Sequence, residues 1–145
     1  MNQEKRRMMA YVIGRLVLKK QATAVYDHAA KAWFQAAGDC ALGKIAVFDH
    51  QRQCYLIGVT REGRTAVFDH GTQQYIEIKL KGNKFEGFDF ESKFHFGGIV
   101  EKERIALYDF EKKKYYQYAL PQEEAPVAPQ RPAAGETRRP KSWKG

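Results

Sequence analysis

Ala46-Val47-Phe48-Asp49-His50 and, twenty residues on, Ala66-Val67-Phe68-Asp69-His70 are the same pentapeptide. The match extends outward in both directions. Asp27, Asp49, Asp69, Asp89 and Asp109 follow one another at spacings of 22, 20, 20 and 20 residues. An aromatic precedes each of them: Tyr26, Phe48, Phe68, Phe88 and Tyr108. Three residues before stand Ala24, Ala46, Ala66 and Ala106, with Glu86 as the exception; two before stand Val25, Val47, Val67 and Leu107, with Gly87 as the exception. A base lies five residues before four of the aspartates (Lys44, Arg64, Lys84, Arg104), and a ring returns six residues after each (Trp33, Tyr55, Tyr75, His95, Tyr115). A period of this length marks an architecture in which every unit is one supersecondary element.

The unit reads as a β-hairpin. Ile45, Val47 and Phe48 are β-branched or aromatic, and Tyr75-Ile76-Glu77-Ile78-Lys79-Leu80 alternates with period two. Ala and the aromatic share one face of the incoming strand, while Val and Ile or Thr share the other. With both faces apolar, the pattern predicts strands covered on both sides and the five leading rings buried. On that reading Ala66→Leu overpacks a tight site by about 1–3 kcal/mol. The aspartate is the turn anchor, its carboxylate accepting from an amide two residues on. Loops of about four residues follow it, within the hairpin range. The returns between units, such as Arg61-Glu62-Gly63, leave no room for a crossover helix.

Tyr11-Val12-Ile13-Gly14 matches Tyr55-Leu56-Ile57-Gly58, the outgoing strand of a unit. It predicts an N-terminal half-unit, about eleven strands in all, with the orphan strand pairing with residues 115–120 to close the sheet. The expected fold is thus all-β: an antiparallel meander of about five and a half hairpins, closed or curled, flower- or barrel-like. Its divisions are a basic segment at 1–8, the repeat domain at 9–120, and a tail at 121–145. All five prolines fall in that tail, whose composition predicts disorder.

Phe85-Glu86-Gly87-Phe88-Asp89, Phe94-His95-Phe96-Gly97-Gly98-Ile99 and Ile105-Ala106-Leu107-Tyr108-Asp109 carry a likeness. Hairpin units of this length, with an aromatic-Asp corner and a ring in the return strand, resemble the four-fold β-flower domains of uncharacterised bacterial proteins. The resemblance covers most of residues 11–120. It implies a fold and no established activity, so it transfers no catalytic residue.

The chain's net charge is +8, and it is unevenly placed. Residues 1–20 hold six Lys/Arg and one Asp/Glu, residues 21–120 hold fourteen and thirteen, and residues 121–145 hold five and three. The repeat body is nearly neutral, with the excess at the two ends, which argues against a phosphate-binding stripe on the body. Residues 8–18 are too short to span a bilayer and are broken by Arg15; with no clear cleavage site, they read as part of the domain. Cys40 and Cys54 form no CxxC pair and read as reduced small hydrophobes, which fits a cytoplasmic protein.

His28, His50 and His70 directly follow three of the aspartates. If the hairpin tips converge, three imidazoles are a divalent-metal site, although spacings of about 20 form no ligand motif. Lys112, Lys113, Lys114 and Tyr116, with Tyr115 and Tyr118 nearby, are candidates for nucleic-acid contact. Arg138, Arg139, Lys141 and Lys144 of the tail join them as phosphate contacts. The one serine outside the tail, Ser92, has no His/Asp grouping in the pattern, and neither a phosphate loop nor a dinucleotide fingerprint is present, so no enzyme activity and no cofactor are expected. The expected function is that of a non-enzymatic binding or scaffolding module contacting a protein through its hairpin tips. The alternative is an accessory nucleic-acid-binding protein using its basic ends and exposed tyrosines.

Overall fold

The computed structural model describes residues 1–122. Five hairpins form one closed antiparallel barrel: β1 (Ala24–Asp27), β2 (Ala32–Ala41), β3 (Lys44–Asp49), β4 (Cys54–Arg61), β5 (Arg64–Asp69), β6 (Gln74–Lys81), β7 (Lys84–Asp89), β8 (Phe94–Glu101), β9 (Arg104–Asp109) and β10 (Lys114–Ala119). Every strand pairs with its chain neighbours. The short β1 closes the ring on β10 through Tyr26 opposite Ala119 and Asp27 opposite Tyr118. The repeat is therefore realised as a meander whose ends meet through β1.

The expected N-terminal strand is instead a helix, α1 (Gln3–Leu18), and it lies inside the barrel. The barrel has ten strands, not eleven, and β1 performs the closure assigned to the orphan strand. Local chemistry accounts for the helix. Residues 3–10 are almost all strong helix formers. The Asn2 side chain caps the first turn by accepting from the Lys5 amide at 2.8 Å. At the other end Lys19 adopts a left-handed conformation (φ 53°), and its amide donates to the Arg15 carbonyl at 2.8 Å. The likeness of residues 11–14 to a strand misleads because every residue from Lys5 to Leu16 is buried. A helix enclosed on all sides has no polar stripe, so the 3.6-residue period is absent from its sequence.

The inner wall is lined by Val25, Ile45, Val47, Leu56, Val67, Ile76, Ile105 and Leu107, all fully buried around the helix. The approach of wall to helix is close: a Cβ on Gly14 would sit 3.0 Å from Ile105 Cδ1 and 3.1 Å from Leu120 Cδ1. Where one hairpin meets the next, a glycine is paired with a larger residue. Gly38 faces Val47, Gly58 faces Val67 and Gly98 faces Leu107. In the remaining unit the order reverses and Ile78 faces Gly87, with the Phe96 ring filling the space a Cβ on Gly87 would take. The departure at Gly87 is thus a size exchange that keeps the pattern.

Of the two strand faces, only one is core. The leading rings Tyr26, Phe48, Phe68, Phe88 and Tyr108 point outward and are half-buried, and Ala66 is exposed between them. The strands are thus buried on one side, not on both. The helix covers the inner face, while the outer face is covered only by the rings themselves. Ala66→Leu therefore adds surface on the outer wall and overpacks nothing.

Each tip is a tight loop closed by a backbone bond from the fourth residue after the aspartate to the aspartate carbonyl, as from Lys93 to Asp89 at 2.7 Å. That fourth residue is left-handed in all five tips, and none is glycine: Lys31, Gln53, Gln73, Lys93 and Lys113. Lys93 has φ 65°. Lys93→Gly relieves the strained conformation and is expected to stabilise the fold by several tenths to about 1 kcal/mol, read as a shift in urea midpoint.

Candidate binding surfaces

The five aspartates line one mouth of the barrel and are all buried. Four of them divide their oxygens between two jobs. In Asp27, Asp49, Asp69 and Asp109, Oδ1 accepts from the amide two residues on, at 2.8–3.0 Å, and so anchors the tip. Their Oδ2 atoms point inward to a cation. Asp89 differs, its Oδ1 taking both the Glu91 amide at 3.2 Å and Lys5 Nζ at 2.9 Å.

The cations come chiefly from the head of the helix. Lys5, Arg6 and Arg7 fan out by about 100° per residue and meet three successive aspartates of the ring. Lys5 Nζ lies 2.9 Å from Asp89, Arg6 Nη1 3.0 Å from Asp109, and Arg7 Nε 3.1 Å from Asp27. The α-amino group adds a contact to Asp109 at 3.4 Å and an ion pair with Glu111. On the far side Arg52 bridges the remaining two, with Nε 2.7 Å from Asp49 and Nη1 3.0 Å from Asp69. Buried ion pairs add little net stability, but they fix geometry. A slip of one residue turns the helix by about 100° and takes each base from its carboxylate.

Two inward rings complete the head. The Arg6 guanidinium stacks 3.6 Å over Tyr116, and that of Arg7 stacks 3.4 Å over Phe34. Arg6 Nε also donates to the Tyr118 hydroxyl at 3.2 Å, and burial pushes the Tyr118 pKa upward. At the other end Arg15 donates to the carbonyls of Gly38 (2.7 Å) and Lys20 (3.1 Å). Cys40 Sγ donates to the Val12 carbonyl at 3.6 Å, and burial, only partly offset by Arg15, pushes its thiol up to about 11.

The aspartate ring makes acid stability measurable. Burial alone raises the Asp89 pKa, but the hydrogen bond and charge of Lys5 outweigh it and hold the carboxyl below its ordinary value. The folded state then binds this proton less tightly than the unfolded chain does. The contribution of Asp89 is fully present above the unfolded carboxylate range and is lost as pH falls through the folded pKa. The urea midpoint should fall below about pH 4, and the fall should be shallower in Asp89→Asn. Parallel curves for the two proteins contradict this assignment.

The outer wall is aromatic at the same mouth. In each unit the leading ring is flanked by two others: Tyr26 by His28 and Trp33, Phe48 by His50 and Tyr55, Phe68 by His70 and Tyr75, Phe88 by Phe90 and His95, Tyr108 by Phe110 and Tyr115. Centroid separations of 4.7–5.3 Å and mostly edge-to-face angles are those of favourable aromatic pairs. The flanking rings stay largely open to solvent, with Trp33 and Tyr75 each 54% and Tyr115 61% exposed.

The histidines belong to this girdle. His28, His50 and His70 pack edge-to-face against their own units' rings on the outside, a place taken by Phe90 and Phe110 in the last two units. Among the described residues no group of three or more His, Cys, Asp or Glu side chains is placed to hold a metal ion. Of the other candidates, Lys112, Lys113 and Lys114 are exposed, Tyr116 is turned inward beneath Arg6, and Tyr118 is 1% exposed. Arg138, Arg139, Lys141 and Lys144, with most of the tail assigned to 121–145, lie outside the described residues.

The charge map changes most. The basic N-terminal segment is not a free cationic end, because Lys5, Arg6 and Arg7 are spent against buried aspartates. Residues 1–122 hold twenty Lys/Arg and fourteen Asp/Glu. Setting aside Lys5, Arg6, Arg7, Arg15 and Arg52 and the five buried aspartates leaves fifteen bases and nine acids facing solvent, an excess of six. The body therefore carries on its surface the excess that the linear count places at its end. No helix among the described residues is long and apolar enough to cross a membrane. Comparison with family models, with curated proteins and with solved structures finds no match to this chain.

Proposed function

We propose that this protein is a non-catalytic binding module whose working surface is the outer wall of the barrel, and that its partner is anionic. The observation that carries the reading is the girdle of five ring clusters, whose outermost rings are about half exposed. Aromatic side chains presented to water at such density are the usual raw material of recognition surfaces. The barrel's interior, the other natural place for a ligand, is taken up by the chain's own helix and its ion pairs. The positive excess on the wall sets the sign of the partner.

The test is a photo-crosslinking amino acid at Tyr75, compared with the same replacement at Gln117, which is exposed on the wall in β10. The expected result is a discrete adduct from position 75 that unlabelled full-length protein competes away. Equal labelling from both positions, or none from position 75, overturns the reading.

A further inference from the structure

We infer that the ligand of the outer wall is single-stranded nucleic acid, seated across β4 to β7; this rests on the outer-wall reading above and names its partner. On the outer face of β5 the residues run Phe68, Ala66, Arg64 from the aspartate mouth downward, so a ring, a small residue and a base stand in line. The same order recurs as Phe48, Ala46, Lys44 on β3 and as Tyr108, Ala106, Arg104 on β9. On these three strands a ring thus stands above a cation with a small residue between them, while β7 keeps the ring and the base (Phe88, Lys84) with Glu86 between.

Across β4 to β6 these tiers enclose one shallow groove. Phe68, His70 and Tyr75 line it on one side and Arg61 and Arg64 on the other, with Ile57, Val59 and Ala66 as its floor. The cations are set against each other's interest. Arg61 lies directly opposite Arg64, and Arg64 directly opposite Lys79, on adjacent strands and on the same face. Lys81 and Lys84 repeat the arrangement on β6 and β7. Like charges in direct cross-strand register destabilise a sheet. Two carboxylates stand among these cations: Glu77 reaches Arg64 only at 3.8 Å, with both side chains exposed, and the exposed Glu86 lies opposite Lys79, which leaves the Arg61, Arg64, Lys81 and Lys84 pairs as the uncompensated positions. A row of this kind is relieved by an anion with several charges in line.

Two features together select a single strand. Exposed rings offer stacking faces for unpaired bases, and the adjacent cations track a phosphate backbone. A duplex hides its base faces and has no use for the rings. An acidic peptide satisfies the cations but leaves the ring tier unexplained.

The experiment is fluorescence anisotropy of a labelled fifteen-residue oligothymidylate against the full chain, over a salt series. The logarithm of affinity is expected to fall with the logarithm of salt at a slope of about −2 or steeper, as three or more neutralised phosphates require. Arg61→Gln/Arg64→Gln/Lys79→Gln should flatten that slope by about 2. Tyr55→Ala/Tyr75→Ala should weaken binding roughly ten-fold or more with the slope kept. All five side chains are exposed, so these variants should fold; the single reversal Arg64→Glu is the second line should the triple variant not. The tail variant Arg138→Gln/Arg139→Gln/Lys141→Gln/Lys144→Gln should keep both wall-dependent effects.

Binding that vanishes with the tail variant and ignores the wall variants overturns the inference. So does binding that loses its salt slope but is indifferent to the rings, which is the behaviour of a general polyanion site. If the oligonucleotide does not bind while position 75 still crosslinks to a protein, the nucleic-acid inference falls and the outer-wall reading stands. If neither occurs, both fall.

Discussion

Arg7→Leu lowers the stability of the barrel by about 3–5 kcal/mol, the cost of leaving a buried carboxylate without its cation. Asp27 is 1% exposed, and Arg7 Nε lies 3.1 Å from its Oδ2. The leucine fills part of the volume and restores none of the charge. The guanidinium also lies flat on Phe34, 3.4 Å from the ring centroid. Arg7→Lys keeps the charge but not the planar stack and should cost less, about 1–2 kcal/mol. Lys112→Leu, at an exposed tip, should stay within about 0.5 kcal/mol. Urea unfolding followed by far-ultraviolet circular dichroism measures all three. A loss below about 1 kcal/mol for Arg7→Leu means that Asp27 does not depend on the helix.

Gly98→Val is expected to cost about 4 kcal/mol or more and to abolish folding at elevated temperature. A Cβ at residue 98 would lie 1.9 Å from the Ala106 carbonyl oxygen and 2.8 Å from Phe85 Cζ. The first of these is backbone and cannot swing aside, so β8 and β9 must separate. The same contact recurs elsewhere: Gly38 would meet the Ala46 carbonyl at 2.1 Å and Gly58 the Ala66 carbonyl at 2.6 Å. Glycine in these strands marks close backbone approach. Gly43→Ala is the control, since nothing lies within 4 Å of its Cβ position, and it should be nearly neutral. Comparable thermal midpoints for Gly98→Val and Gly43→Ala would contradict the packing described.

Much of this architecture is legible in the chain because the repeat is strict. The aspartates at near-constant spacing mark every hairpin tip, and the short returns at Arg61-Glu62-Gly63 and its counterparts force a meander. What escapes is the content of the barrel. Lys5-Arg6-Arg7 looks like a solvated basic end because its partners are 20 to 103 positions away along the chain. The base five residues before four of the aspartates is an odd number of positions away and so lies on the opposite face of the strand, which is the signal that something else must neutralise them. Residues 11–14 mimic a strand because a helix buried on every side needs no period.

The ring placement is half legible. The recurrence of Phe48, Phe68 and their counterparts is plain, but a strand with small and aromatic residues on one face and Val on the other does not say which face is core. The aspartate decides it. Asp49 and Val47 share a face with Ile45, and that face turns inward to the helix. The surface charge follows from the same fact, since inward aspartates remove acid from the wall.

The N-terminal helix occupies the barrel, and the outer wall is therefore the surface we propose for binding. Amide hydrogen exchange of Met9, Ala10, Tyr11, Val12 and Ile13 tests it most directly. With the helix enclosed, these amides should exchange only through global unfolding, with the same protection as Val47 and Val67 of the wall. Exchange of the helix far ahead of the strands would mean that the helix leaves while the barrel persists, and the interior, not the wall, would then be the surface to explain.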